Sequence, residues 1–186
     1  MAVTNTDARY NSMQALLAGF GGQGILFAGK ILAHAALIDA RQLSWLPSYG
    51  PEMRGGTANC SVCISDEPIG SPLVLTPNVL VVMNQPSLDK YASSVVPGGL
   101  VLADSSLVSN IPEIEGVHTH AVGATKMAEE NGLAGLANVI LVGKLFALTH
   151  FCTESAIRSA IGNVVPKSKE HLIEANLTAL ELGINA

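Results

Sequence analysis

The sequence predicts an α/β protein: a Rossmann-like, mainly parallel sheet with helices on both faces, in a single domain spanning residues 1–186. Three observations predict it. First, in "ALLAGFGGQGILFAGKILAHAALI" a short apolar run enters a glycine cluster and leaves it as a helix. Second, later runs such as "NVLVVMN" are short and apolar throughout, as strands covered on both faces should be. Third, the last third of the chain carries helical spacing.

The elements follow in order. Ala15 to Ala18 form the first strand, and Ile25, Leu26, Gly29, Leu32, Ala33 and Ala36 recur at helical spacings of three and four. "RQLSWLP" reads as a second strand, "ANCSVCIS" as a third and "NVLVVMN" as a fourth. "GGLVLADSS" makes a fifth and "GVHTHAVG" a weaker sixth, with a helix over "QPSLDKYASSV". "LAGLANVILVGKLFALTH" is apolar nearly all round, so the helix it forms must be buried. "PKSKEHLIEANLTALELG" has a helix-start proline, an apolar face of Leu172, Ile173, Leu177 and Leu180, and a closing glycine.

Composition narrows the function. Hydrophobic residues make up 48% of the chain and charged residues only 13%. The mean hydropathy is +0.38. No run of about 18 uncharged apolar residues appears, so no transmembrane helix is expected. The N-terminal "MAVTNTDARYNSMQ" lacks an apolar signal core, so a cytoplasmic protein is expected. The surplus of apolar residues then points to surface covered by partner chains. The net charge of −5, without a basic run, argues against nucleic acid.

Cys60 and Cys63 form a C-x-x-C, but on a strand two residues three apart face opposite sides. No second C-x-x-C completes a four-ligand set. Buried strand cysteines are therefore expected, and no metal site. His118 and His120 share a strand face without an evident third ligand.

Gly19, Gly21 and Gly24 stand in the G-x-G-x-x-G spacing between strand and helix. There the first glycine would permit a tight turn, the second a close backbone approach to pyrophosphate, and the third helix–strand packing. A phosphate-bearing ligand and a merely tight turn both remain open. A dinucleotide also needs an acid at the end of the second strand. That position reads Leu46, Pro47, Ser48, and Asp39 comes too early, so NAD and FAD are disfavoured. The loop that follows carries Tyr49, Gly50, Glu52, Arg54, Gly55 and Gly56. In a doubly wound sheet this loop, the glycine turn, "NQPS" and "DSS" converge on the carboxyl rim. Arg54 there would clamp a phosphate, pair with Glu52, or meet a partner chain.

"GFGGQG" and "SYGPEMRGGTANCSV" together resemble the gamma subunit of 2-oxoacid:ferredoxin oxidoreductases. The resemblance continues through "NQPSLDKY", "PGGLVLADSSLV" and "GATKMAEENG". The form "GPEMRGGTANC" resembles the 2-oxoglutarate branch more than the pyruvate branch. This implies a subunit of a cytoplasmic complex that oxidatively decarboxylates a 2-oxoacid with coenzyme A and passes electrons to ferredoxin. It implies alpha, beta and ferredoxin-like partner subunits that carry thiamine diphosphate and iron–sulfur clusters, and no catalytic residue on this chain. Coenzyme A contacts are expected in the two glycine loops: Gly19, Gly21, Gly22, Gln23 and Gly24 in one; Tyr49, Gly50, Glu52, Arg54, Gly55 and Gly56 in the other. The alternatives are a structural adaptor that touches no ligand and a free-standing nucleotide-binding oxidoreductase.

Overall fold

The computed structural model describes residues 10–48 and 57–186. Its six strands are β1 (Ser12–Phe20), β2 (Gln42–Ser48), β3 (Thr57–Ser65), β4 (Val79–Val82), β5 (Leu100–Asp104) and β6 (His118–Val122). The helices are α1 (Ile25–Ile38), α2 (Gln85–Tyr91), α3 (Ala124–Glu130), α4 (Ala137–Thr149), α5 (Glu154–Val164) and α6 (Ile173–Ile184).

The strands form one sheet in the order β2-β3-β1-β4-β5-β6. β1, β4, β5 and β6 pair in parallel, whereas β3 is antiparallel to both β1 and β2. β3 alone runs against the other five, so the expected mainly parallel sheet is a mixed one. The reason is chain length. Only residues 49–56 separate Ser48 from Thr57, and a parallel crossover needs about a dozen residues or more. A hairpin is what so short a connection can close.

Helices lie on both faces, but unequally. One face carries α1, α4, α5 and α6, packed on Leu17, Val62, Val81 and Leu102 through Ile31, Leu32, Ile140 and Ile157. The other is covered by the seven-residue α2 and by irregular segments, whose Leu88, Val74 and Val108 meet Leu16, Leu80 and Val101. The α4–α6 crossing is tight. A Cβ on Gly143 would run into the Leu180 carbonyl, and one on Gly183 into the Ile140 carbonyl.

The end of the sheet away from the glycine turn is clasped by Arg41, which is 6% exposed. Its guanidinium donates to Asp66 Oδ1 (2.8 Å), Phe151 O (2.7 Å) and Asn11 O (2.6 Å). Asp39 sits at this end too, just past α1. It accepts from the Thr153 amide (2.6 Å) and hydroxyl (2.7 Å), anchoring the start of α5. Its placement there agrees with its exclusion as a ribose ligand.

Candidate functional site

α1 and α2 cover opposite faces of the sheet, and the adjacent parallel strands β1 and β4 lead into them. That is the topological switch point, where open α/β sheets form ligand crevices at their carboxyl ends. The glycine turn lies there.

Gln23 builds the turn. Its Oε1 accepts from the Phe20 amide at 2.5 Å, and its Nε2 donates to Met83 O at 2.8 Å. The side chain thereby ties the end of β1 to the end of β4, and both polar ends of its amide are used. Gln23 positions the turn, and its Nε2 keeps a second N–H beyond the one given to Met83 O.

The three fingerprint glycines divide the labour differently from the sequence expectation. A Cβ on Gly19 would stand 2.7 Å from Gln23 Oε1 and 3.0 Å from Ile25, so Gly19 makes room for the Gln23 tie rather than for a tight turn. The left-handed residues are Gly22 (φ 92°) and Gly24 (φ 76°). Gly24 packs helix on helix: a Cβ there would meet Asn138 of α4, whose Nδ2 donates to Gly24 O at 3.0 Å. Around Gly21 and Gly22 no described residue lies within 4 Å of a built Cβ, so the described structure leaves this backbone open to approach.

The first turn of a helix leaves N–H groups without intrahelical partners. No described side chain caps α1. Its first three residues, Ile25, Leu26 and Phe27, together with Phe20, Gly21, Gly22 and Ala58, line a cleft of about 260 Å³. The cleft offers free amides and the positive end of a 14-residue helix between apolar walls. Its described lining is apolar side chains and backbone.

Of the other rim residues, Asn84 and Asp104 are turned inward, whereas Ser105 and Ser106 are exposed. Asn84 caps α2, accepting from the Ser87 amide at 2.8 Å. Asp104 is fully buried and accepts from the Thr125 hydroxyl (2.5 Å) and the Ser106 amide (3.0 Å), which fixes the start of α3. Ser48 and Thr57, which flank the second glycine loop, end β2 and begin β3 at this same rim. Tyr49, Gly50, Glu52, Arg54, Gly55 and Gly56 themselves lie outside the described residues. Asn138 escaped the sequence reading. Its signal was a polar residue near the start of an otherwise apolar helix.

Cys60 and Cys63 do face opposite sides of the sheet, one in each core. Burial pushes the Cys60 thiol up to about 12, opposed in part by the Trp45 side chain. The two thiols cannot close on one metal or cluster. Among the described residues no group of three or more His, Cys, Asp or Glu side chains could hold a metal ion. Burial, then Lys144 and His118, pull His120 below the usual histidine range. No helix of the described residues is long and apolar enough to cross a membrane.

A crevice of this kind is found across α/β ligand-binding proteins; the whole-chain comparisons narrow the class. Residues 14–186 match the family of pyruvate ferredoxin/flavodoxin oxidoreductases, and the chain belongs to that family. Within it the chain is of the gamma type. The gamma subunit of a keto/oxoacid ferredoxin oxidoreductase from Geobacter sulfurreducens shares 32% identity and a TM-score of 0.81, over 93% of this chain and 96% of that one. A 2-oxoglutarate synthase subunit KorC from Methanocaldococcus jannaschii is 43% identical over 90% of this chain and 89% of its own length. A ketoisovalerate oxidoreductase subunit VorA from Methanothermobacter thermautotrophicus is also 43% identical, over 95% of this chain. The chain spans only 37% of that relative's length. The 2-oxoglutarate:ferredoxin oxidoreductase of Magnetococcus marinus was solved with 2-oxoglutarate, coenzyme A and succinyl-CoA bound. It has a TM-score of 0.83 over 95% of this chain and 31% of that one; at 22% identity, this is a likeness of fold.

Proposed function

We propose that the chain is an accessory subunit of a cytoplasmic 2-oxoacid:ferredoxin oxidoreductase, and that its glycine rim binds an anionic part of coenzyme A. The partners are alpha, beta and ferredoxin-like chains, which carry the thiamine diphosphate and the iron–sulfur clusters. Electrons leave through them to ferredoxin. The observation that carries this reading is the start of α1, uncapped by any described side chain, over the backbone of Gly21 and Gly22, which no described residue crowds. Backbone amides and a helix N-terminus suit a phosphate. Gly19, Gln23 and Gly24 hold that surface in shape. Tyr49, Gly50, Glu52, Arg54, Gly55 and Gly56 complete the rim from the neighbouring hairpin, with Arg54 on a phosphate.

The 2-oxoacid is 2-oxoglutarate in this reading, supported by "GPEMRGGTANC" and by the KorC relative. A branched-chain 2-oxoacid is the second reading, favoured by the equal identity to VorA. Comparing kcat/KM for the two acids in the complex purified from its source separates them. The isolated chain is inert with either acid, since the cofactors that carry the hard chemistry sit elsewhere. Turnover by this chain alone, with added thiamine diphosphate and a dye acceptor, would contradict the accessory role. Arg54→Lys in the assembled complex tests the rim. Lysine keeps the charge and loses the bidentate fork, so the apparent coenzyme A constant should rise about tenfold or more. An unchanged constant removes Arg54 from the ligand site.

A further inference from the structure

The sheet ends at β2, and among the described residues no strand lies beyond it. Pro47 has no N–H, so it must stand where β2 turns its peptide groups away from β3. It faces Cys60 across the ladder, as Trp45 faces Val62 and Leu43 faces Ile64. The alternation of an antiparallel pair then turns the peptide groups of Leu43 and Trp45 to the open edge as well.

Those two residues also line a groove of about 590 Å³ between β2, α1 and α5. Leu37, 61% exposed, and Val164 extend its apolar wall. Lys30 Nζ stands 5.3 Å from the centre of the Trp45 ring, with His34 one helical turn on. Among the described residues no carboxylate lines the groove and Lys30 makes no ion pair. In a chain of net charge −5, a cation without its counter-charge stands beside an unpaired backbone edge and an apolar floor.

We propose that this edge and groove seat an extended segment of a partner chain, one that carries a carboxylate beside an apolar residue. The segment's backbone adds to β2 opposite Leu43 and Trp45, its carboxylate meets Lys30, and its apolar side chain covers Trp45 and Leu37. Pro47 ends the ladder, so the segment stops short of the glycine rim and leaves it free. A second copy of this chain fits poorly, because an isologous contact would set the same cationic groove against itself. The proposal rests on the reading of the chain as a subunit of a larger assembly.

The test uses the complex purified from its source. Zero-length carbodiimide coupling should join Lys30 to an Asp or Glu of a different chain. Residue-resolved hydrogen exchange at Leu43 and Trp45 should be at least about tenfold slower in the complex than in this chain alone. Lys30→Glu should raise the dissociation constant of the assembly about tenfold, and Lys30→Arg should leave it unchanged. An intact complex in which both amides exchange as in the lone chain overturns the docking surface while the subunit reading stands. Coupling of Lys30 to another copy of this chain overturns it too. A chain that purifies with no oxidoreductase subunit overturns the subunit reading itself.

Discussion

Three glycines of one turn can be set against each other, because the structure assigns each a different constraint. Gly24→Ala meets two. Its φ of 76° costs an L-residue about 1–2 kcal/mol, and its methyl displaces Asn138 from its 3.0 Å bond to Gly24 O. That bond is worth about 1 kcal/mol, and crowding in a packed interior adds about 1 kcal/mol or more. The sum is about 3 kcal/mol, or about 6–12 °C in Tm for a chain of this size. Gly22→Ala meets only the first constraint, φ 92° with no described residue near its Cβ, and should cost about 1–2 kcal/mol. Gly21→Ala meets neither, and its stability should stay within about 0.5 kcal/mol of the parent. Yet its methyl would stand on the open backbone that faces the cleft. In the assembled complex Gly21→Ala should therefore raise the apparent coenzyme A constant about tenfold while Tm holds. Thermal unfolding of the three variants, with that constant measured beside it, is the assay. A Gly21→Ala as unstable as Gly24→Ala would refute the assignment of constraints; a stable Gly21→Ala with an unchanged constant would refute the binding role of the cleft.

Arg41→Met should destabilise by about 3–5 kcal/mol in urea titration, because it strips three acceptors of a buried guanidinium at once. Cys60, with its thiol pushed up to about 12, should resist iodoacetamide at pH 8 in the native protein and react once unfolded; early labelling there, seen by peptide mass spectrometry, would count against its burial. The fold disfavours the charged form of His120, so the unfolded chain binds the extra proton more readily. Stability should therefore fall as pH drops through and below the usual histidine range, and His120→Gln should flatten that slope in pH-dependent melting. Gly143→Ala should lower Tm by several degrees, since its methyl drives α4 off the α6 backbone.

The sequence exposed what depends on neighbours along the chain. β1, its glycines and α1 follow from local punctuation, and β4 and β5 from short runs apolar on both faces. The reversed direction of β3 was not read, although the brevity of residues 49–56 carried it. The helix read from Pro166 onward begins instead as a 3₁₀ segment, Lys167–Leu172, in which Lys169 leaves helical backbone at φ −125°. At the site, the turn could be located but not explained. The task of Gly19 depends on Gln23, and that of Gln23 on Met83, brought alongside only when β4 pairs with β1. Asn138 lies 114 residues from the Gly24 carbonyl it bonds. Such partnerships belong to the tertiary fold, and no periodicity announces them.

The Gln23 tie has a thermodynamic corollary. A glycine-rich loop left slack would lose conformational freedom each time a ligand ordered it, at about 1–2 kcal/mol per residue fixed. Here the ends of β1 and β4 are already fastened by one side-chain amide, so that entropy is spent during folding, once, and not at every encounter. Preorganisation of this kind leaves the native state stiffer than its glycine content suggests and would let a modest set of backbone amides hold an anion. Calorimetry should then give a small entropic penalty for ligand association in the parent complex and a larger one in Gln23→Ala, even where the enthalpies agree.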